Sequence, residues 1–259
     1  MVKVISVVNQ KGGVGKTTTV INLSTALCSI GQKILVIDID PQGNASTGLG
    51  VGTKERTNNV YNLMLEDNLT LDDCTYETNV ENLHLVPAVM DLAAAEIELY
   101  DTKYRQFSLK KKIENNISQY DFVFIDCPPS LGMLTINALC ASDTIMIPMQ
   151  CEFFSLEGLS HLIRTYNEIK KKLNNKLEIE GLLLTMYDAR NNLTSQVEND
   201  VRNFLGDKVY KVVVPRNIKV SEAPSHGKPV IVYDLDCNGS KAYINLAKEF
   251  IQKNNIKIK

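Results

Sequence analysis

The sequence predicts an α/β fold of three layers, in which a mostly parallel, twisted sheet carries helices on both faces. Seven short segments are predominantly apolar and rich in β-branched residues, a pattern typical of parallel strands that are buried on both faces. Segments with helical spacing lie between them, and alternation of strands and helices indicates a parallel sheet. Ligands bind beyond the carboxyl ends of such strands, so we expect the functional residues there.

In chain order, the predicted strands cover residues 2–8, 34–37, 83–86, 122–125, 144–148, 181–186 and 209–214. The predicted helices cover residues 17–29, 91–101, 108–117, 131–141, 156–173, 194–204 and 241–252. Each strand is short and mostly apolar, whereas each helical segment mixes polar with apolar residues in larger proportion. No linker rich in Pro, Gly or Ser divides the series and no internal repeat is present, so we expect one domain over residues 1–259.

The composition excludes several classes of protein. Apolar residues make up 44% and charged residues 22% of the 259 residues, values that are ordinary for a globular chain and exclude disordered, collagen-like and low-complexity proteins. No apolar run approaches the roughly 20 residues that a membrane-spanning helix needs. Residues 1–8 are too short for a signal peptide and lack a small-residue cleavage site. We therefore expect a cytoplasmic protein without a membrane partner.

The six cysteines lie at positions 28, 74, 127, 140, 151 and 237, and no two of them form a C-x-x-C pair. No histidine stands near a pair of them at the spacing of a zinc site. In a reducing compartment, such cysteines are expected to be reduced and mostly buried. The alternative is an electron-transfer or cluster-assembly protein with a metal cluster shared across a dimer, which needs only one or two cysteines per subunit.

The charge is distributed unevenly along the chain. Residues 1–150 hold 11 Lys and Arg against 17 Asp and Glu, a net charge of −6, and residues 151–259 hold 17 against 13, a net charge of +4. The basic C-terminal half predicts contact with an anionic polymer or surface on that side.

A glycine-rich turn follows the first strand and is typical of a phosphate-binding loop. Its glycines let backbone N–H groups turn inward, and the N-terminus of the following helix adds partial positive charge. Lys16 is placed to reach the β- and γ-phosphates of a nucleotide, and the Thr17 hydroxyl is placed to ligate Mg²⁺. The usual pattern is G-x-x-x-x-G-K-[ST], but Gln10 stands at its first glycine and Lys11 is an additional lysine. A dinucleotide loop, G-x-G-x-x-G, is disfavoured because Thr18 occupies its third glycine position.

Carboxylates end two of the predicted strands. Asp38 and Asp40 stand two residues apart at the end of the second strand, so both project from one face into the crevice. Asp126 ends the fourth strand, where it is placed to hold Mg²⁺ through water. Aspartates also occur as simple turn residues, but their position beside a phosphate loop favours a metal-binding or catalytic role. Pro128 and Pro129 stiffen the loop that follows, as expected of a segment that senses the γ-phosphate.

The segment Lys11–Thr18 resembles the deviant Walker A motif of the ParA/MinD class of ATPases, within the P-loop NTPases. The resemblance implies a P-loop NTPase-like fold, the cofactors ATP and Mg²⁺, and a homodimer that sandwiches the nucleotides. Lys11 matches the signature lysine, which contacts the nucleotide of the opposite subunit, and Asp40 matches the catalytic aspartate, which orients the attacking water. The implied catalytic residues are Lys11, Lys16 and Asp40, and the implied metal-binding residues are Thr17, Asp38 and Asp126. Phosphate contacts are implied for Lys11, Gly12, Gly13, Val14, Gly15, Lys16, Thr17 and Thr18.

Later segments resemble the chromosomal ParA branch of this class. The matching segments are residues 42–50, 150–159, 181–192 and 214–229. Within the last, Pro215, Arg216 and Asn217 match the loop that packs on the adenine base. The resemblance implies a nucleoid-associated partitioning ATPase, whose ATP-bound dimer binds non-specific double-stranded DNA. Hydrolysis, stimulated by a ParB-type protein, is expected to release the DNA.

The basic residues expected to bind DNA are Arg190, Arg216 and Lys219, and binding of this kind is electrostatic. Lys211, Arg164 and the run 170–172 come next, although 170–172 also suits a solvated helix face. Lys219 stands where the family often carries an arginine. Lysine, unlike arginine, cannot form a bidentate hydrogen bond to a phosphate. Plasmid-type relatives carry an N-terminal helix-turn-helix domain, which we do not expect here because the first strand begins at Val2.

The alternative within the class is a membrane-cycling ATPase of the MinD kind, which needs a basic, amphipathic C-terminal helix. The tail, residues 250–259, does not suit one. Asn254 and Asn255 interrupt its helical pattern, and its last four residues alternate with period two.

Overall fold

The computed structural model describes residues 2–99, 103–114 and 116–256. Its strands are β1 (Lys3–Val7), β2 (Ile34–Asp38), β3 (Tyr76–Glu77), β4 (Leu83–Val86), β5 (Phe122–Asp126), β6 (Thr144–Gln150), β7 (Glu178–Tyr187) and β8 (Val209–Pro215). Its helices are α1 (Lys16–Cys28), α2 (Asn44–Gly48), α3 (Val60–Leu65), α4 (Leu92–Glu98), α5 (Ser108–Ile113), α6 (Met133–Ala141), α7 (Ser155–Lys172), α8 (Asn192–Leu205), α9 (Ile218–Glu222), α10 (Val230–Tyr233) and α11 (Asn238–Lys253).

The strands form one sheet of eight in the order β3-β4-β2-β5-β1-β6-β7-β8. Neighbouring strands are parallel, except that β3 runs antiparallel to β4. Strand β5 lies between β1 and β2, and its last residue, Asp126, is in register with Val7 on one side and Asp38 on the other. This order brings the carboxyl ends of β1, β2 and β5 together, although they are distant in the chain.

Helices cover both faces of the sheet. In β2, Leu35 and Ile37 pack into one apolar core, and Ile34 and Val36 pack into the other, because successive side chains of a strand point to opposite faces. Helices α3 to α8 supply the first core, and α1, α2, α10 and α11 supply the second. The predicted fold class, a three-layer α/β protein with a mostly parallel sheet, is confirmed.

Each predicted strand overlaps an observed one, but the prediction missed the shortest elements. The two residues of β3 pair with β4 at the edge of the sheet and are too few to show a hydrophobic period. Helices α2, α3, α9 and α10 contain four to six residues each. Such helices are shorter than the window in which an apolar repeat is detected.

Three predicted helices are longer than the observed ones, whereas α8 and α11 are longer than predicted. The helix predicted over 91–101 is α4 (Leu92–Glu98), and residues 100 and 101 lie outside the described residues. The helix predicted over 108–117 ends at Ile113, and beyond it Ile117 is buried in the first core; residue 115 lies outside the described residues. Helix α6 begins at Met133 rather than at 131, because Gly132 has an extended backbone and forms the N-cap.

All six cysteines are unpaired; five are buried and Cys237 is partly exposed. The described part of the chain contains no group of three His, Cys, Asp or Glu side chains arranged to hold a metal ion. Within those same residues, none of the helices has both the length and the apolar character needed to cross a membrane.

Candidate nucleotide-binding site

The loop of residues 9–15 connects the carboxyl end of β1 to the N-terminus of α1. Gly13 and Gly15 have left-handed backbones, with φ of 73° and 88°, which a residue with a Cβ adopts only under strain. Gly15 is the N-cap of the 13-residue α1, and no side chain of the described residues caps this helix. The first N–H groups of α1 are therefore left for a ligand, and their position favours an anion.

Two side chains from neighbouring strands hold this loop. Gln150, the last residue of β6, donates from Nε2 to the carbonyl of Gly13 at 2.9 Å. Thr185, in β7, donates from Oγ1 to the carbonyl of Val14 at 2.7 Å. Neither residue was predicted from the sequence to be functional. Their signal was their position at the carboxyl ends of two predicted strands.

The two lysines of the loop have different surroundings. Lys16 is buried and its Nζ lies 3.4 Å from the carbonyl of Lys11. Burial lowers the pKa of the Lys16 ammonium, while the nearby carboxylates of Asp126 and Asp40 act to raise it. The Lys11 side chain is 41% exposed and forms an ion pair with Glu152, just beyond β6.

Asp38 and Asp40 are both buried at the end of β2. Asp38 Oδ2 accepts hydrogen bonds from Ser46 N at 2.9 Å and Ser46 Oγ at 2.7 Å. Burial raises the pKa of Asp38 to about 6, although the hydrogen bonds from Ser46 act to lower it. Asp40 Oδ1 accepts from the N–H of Gln42 at 3.0 Å, which orients its carboxylate.

Asp126 lies fully buried beside Asp38. In the described part of the chain, neither of its carboxylate oxygens has a hydrogen-bond partner of ordinary geometry. Burial and the charge of Asp38 raise the pKa of Asp126 well above its usual range, while the Thr17 hydroxyl and Lys16 act to lower it. A buried carboxylate in this state is suited to a cation.

The donor set fits Mg²⁺, which binds through one or two carboxylates and completes its octahedron with water and phosphate oxygens. Thr17 and Asp126 would hold the ion. Asp38 would act mainly through its charge, because its oxygens already accept hydrogen bonds from Ser46 and from the N–H of Asp40.

Two adjoining cavities lie over the loop. The first has a volume of about 470 Å³ and is lined by Gly12, Gly13, Gly15, Lys16, Thr17, Thr18, Ile21, Asp40, Gln42, Asn44, Thr47, Pro129, Met186 and Pro224. The second has a volume of about 270 Å³, and its wall includes Pro215, Arg216 and Asn217. Gly15, Thr18, Met186 and Pro224 line both, so the two cavities have the arrangement needed for phosphates in one and a base in the other. Lys11 and the buried Val14 are not in either wall.

The residues predicted to contact DNA lie beyond the ends of β7 and β8. Arg190 has a side chain that is 90% exposed and binds Asp188 through Nε at 2.9 Å and Nη2 at 2.8 Å. The hydrogen bonds from Arg190, and more weakly the charge of Arg216, hold the pKa of Asp188 down to about 2. Lys219 is partly exposed and pairs with Glu222 at 3.0 Å.

Comparisons with known proteins place this geometry in a family. A family model described as an AAA domain matches residues 2–179. The sporulation initiation inhibitor protein Soj of Bacillus subtilis is 53% identical over 249 residues, which cover 96% of this chain and 98% of that protein. The chromosome partitioning protein ParA of Caulobacter vibrioides is 51% identical over 253 residues, which cover 97% of this chain and 94% of that protein.

Among solved structures, cobyrinic acid a,c-diamide synthase of Mycobacterium smegmatis, with a bound ATP analogue and magnesium, matches with a TM-score of 0.85. It is 33% identical, and the match covers 96% of this chain and 93% of that chain. The predicted cofactors, ATP and Mg²⁺, correspond to the ligands of that structure. Identity to the partition proteins is higher and extends over nearly the whole chain. The chain therefore belongs to the ParA/Soj family of chromosome-partitioning ATPases, within the P-loop NTPases.

Proposed function

We propose that this protein is a DNA-partitioning ATPase whose ATP-bound homodimer binds non-specific DNA and whose ATP hydrolysis releases it. The observation that carries the proposal is the position of Lys11. This lysine belongs to the phosphate loop, yet its side chain lies outside the walls of both cavities and is 41% exposed beside Glu152. A cation so placed is available to the nucleotide of a second subunit.

The chain's own residues account for hydrolysis of ATP to ADP and phosphate. Lys16 and the N–H groups of the loop bind the phosphates, Thr17 and Asp126 would hold Mg²⁺, and Asp38 would act mainly through its charge. When bound, Mg²⁺ neutralises charge on the phosphate oxygens. Asp40 orients a water molecule and takes its proton. The water oxygen forms the new bond to the γ-phosphorus while the bond from that phosphorus to the β–γ bridging oxygen breaks.

The second cavity is proposed to hold the adenine base. Its wall includes the three residues of the loop after β8, Pro215, Arg216 and Asn217. Asn217 also accepts a hydrogen bond from the N–H of Lys219 at 2.9 Å, which caps α9. Binding of the base would therefore set the position of the segment that carries Lys219.

The proposed DNA surface consists of Arg190, Arg216 and Lys219 from both subunits. Arg190 and Lys219 are each paired with a neighbouring carboxylate in this structure. Exposed ion pairs of this kind contribute little to stability because solvent screens them, so a phosphate can replace the carboxylate at small cost. Such contacts carry no base information, which supports binding that does not depend on sequence.

The remaining parts of the proposal follow from the family. A ParB-type partner stimulates hydrolysis, residues 1–259 act as one ATPase domain, and the protein works in the cytoplasm on the nucleoid.

The test is DNA binding against salt concentration, measured with ATP, ADP and no nucleotide, together with the molecular mass in each state. We expect a dimer and tight DNA binding with ATP alone, and a log affinity that falls linearly with log salt. Absence of DNA binding by the ATP-bound dimer near 50 mM salt would contradict the partitioning function. Binding of that dimer to anionic lipid vesicles would then favour the MinD-like alternative.

A further inference from the structure

Arg56 is a buried arginine in an otherwise exposed stretch of the loop between α2 and α3. It is 5% exposed, whereas residues 52–55 before it and Thr57 after it are exposed. We propose that Arg56 is a positioning residue that fixes the segment carrying Asp40 for the attack of water on ATP. This inference rests on the proposed ATPase function.

The guanidinium of Arg56 joins three separate segments. Its Nη1 donates to the carbonyl of Ala88, just after β4, at 3.0 Å. Its Nη2 donates to Thr47 Oγ1 in α2 at 2.8 Å. Nε and Nη2 both donate to the carbonyl of Val51, at 3.2 and 2.8 Å. A planar fork can make these bonds together, whereas the compact ammonium of a lysine cannot.

A chain of hydrogen bonds continues from Arg56 to Asp40. Thr47 Oγ1, which accepts from Arg56, donates to the carbonyl of Gly43 at 3.1 Å. The N–H of Gly43 donates to the carbonyl of Asp40 at 2.9 Å, and the N–H of Gln42 donates to the Asp40 carboxylate at 3.0 Å. The guanidinium therefore supports the turn that orients the proposed water-positioning carboxylate.

The packing between Arg56 and this turn leaves no room for a side chain. Gly43 has a left-handed backbone with φ of 62°. A Cβ at this position would overlap Nη1 of Arg56 and would lie 3.1 Å from the carbonyl oxygen of Ala88. The guanidinium occupies the space that a side chain at position 43 would need.

The same unit also supports Asp38. The N–H of Ala88, whose carbonyl accepts from Arg56, donates to Ser46 Oγ at 3.0 Å. Ser46 in turn donates to Asp38. Burial lowers the pKa of the Arg56 guanidinium, and the negative charge of Asp38 acts to raise it. A buried cation is costly unless its donors are satisfied, and here four hydrogen bonds use four of the five N–H donors.

None of these hydrogen-bond partners belongs to the phosphate loop or to α1, although Thr47 also lines the first cavity. The groups that hold the phosphates, Lys16 and the N–H groups at the start of α1, are supported instead by Gln150 and Thr185. Loss of Arg56 is therefore expected to slow turnover and to leave ATP binding nearly intact.

The experiment compares Arg56→Met and Arg56→Lys with the wild-type protein for kcat, KM and equilibrium ATP affinity. Because small misplacements of a reacting group cost up to about 100-fold, we expect kcat to fall about 10- to 100-fold in Arg56→Met. ATP affinity should remain within about threefold, the signature of an interaction that acts in the transition state. Arg56→Lys should not restore kcat, because the charge without the fork does not span Val51, Thr47 and Ala88.

Two further variants make the test specific. Gly43→Ala displaces the guanidinium while keeping Arg56, and it should reproduce the loss of kcat. Lys112→Met is the matched control: Lys112 also donates to three loop carbonyls, those of Glu66, Asp67 and Leu69, none of which lines either cavity, and its kcat should match the wild type.

Wild-type kcat in Arg56→Met and in Gly43→Ala would overturn the inference. So would a parallel loss of kcat, ATP affinity and melting temperature, which would mean that Arg56 only stabilises the fold. A wild-type protein that hydrolyses no ATP would instead overturn the proposed function.

Discussion

Asp38 and Asp126 lie side by side at the carboxyl ends of β2 and β5, in register and fully buried. Two adjacent carboxylates in a dry environment cannot both ionise easily. The fold therefore contains a site that binds a proton or a cation favourably. This relationship leads to a prediction about stability that is independent of any assay of activity.

In EDTA and without nucleotide, we expect the melting temperature to be higher at pH 5.5 than at pH 7. The pKa of Asp38 is raised to about 6 in the folded protein, against about 3.9 in an unfolded chain. Between these values the folded state binds more protons than the unfolded state, so stability is lost as the pH rises through about 6. Differential scanning calorimetry in EDTA measures the melting temperature at the two pH values.

The control for that prediction is Asp38→Asn, which should show a smaller loss of stability between pH 5.5 and 7. The comparison with the wild type is needed because His84, whose pKa is lowered by burial, contributes with the opposite sign. A variant with the same pH dependence as the wild type would contradict the assigned burial of this charge. Addition of Mg²⁺ and ATP should reduce the wild-type dependence.

Asp40→Ala should retain ATP binding and lose turnover by about 10²-fold or more, as loss of a positioned base does. The variant should accumulate as an ATP-bound dimer on a sizing column.

Lys16→Ala gives the contrast: removal of the charge in the cavity should abolish ATP binding, dimerisation and DNA binding together. A normal hydrolysis rate in Asp40→Ala, or normal ATP affinity in Lys16→Ala, would contradict these roles.

Lys11→Ala should bind ATP as a monomer and should neither dimerise nor hydrolyse it, because the proposed contact of Lys11 is with the other subunit's nucleotide. Multi-angle light scattering with ATP measures the dimer. Lys172→Ala is the control, since Lys172 also forms an exposed ion pair, with Glu168, and should dimerise normally. Normal dimerisation of Lys11→Ala would mean that Lys11 is an ordinary solvated lysine.

Arg190→Ala and Lys219→Ala should each weaken DNA binding and reduce its salt dependence. Each removes one phosphate contact per subunit, so the slope of log affinity against log salt should shrink by about 2 per dimer. The loss should be similar for unrelated DNA sequences, and ATPase activity without DNA should not change.

Arg202→Ala is the control for DNA binding. Arg202 forms an ion pair within α8, with Glu198, about 15 Å along the helix from its start. Unchanged affinity and slope in both test variants would place the DNA surface elsewhere on the protein.

Local patterns were sufficient to predict seven of the eight strands of the described residues, the main helices and the phosphate loop. The continuous apolar runs of β2 and β5 predict burial on both faces wherever these strands lie in the sheet. Gly13, Gly15 and Lys16 stand within a few residues of one another, so their spacing alone describes the anion site. The predicted roles of Lys11 and Asp40 came from the resemblance to a family, and they remain predictions.

The arrangement of distant residues depended on the tertiary structure. Asp38 and Asp126 become neighbours because β5 pairs with β2, and nothing local in the sequence specifies that pairing. Gln150 and Thr185 support the phosphate loop for the same reason, since β6 and β7 follow β1 in the sheet. Arg56 stands among exposed polar residues, and the sequence of this segment is typical of a surface loop. It is buried because β4, α2 and the loop after α2 converge on its guanidinium, and convergence of segments is a property of the fold rather than of local sequence.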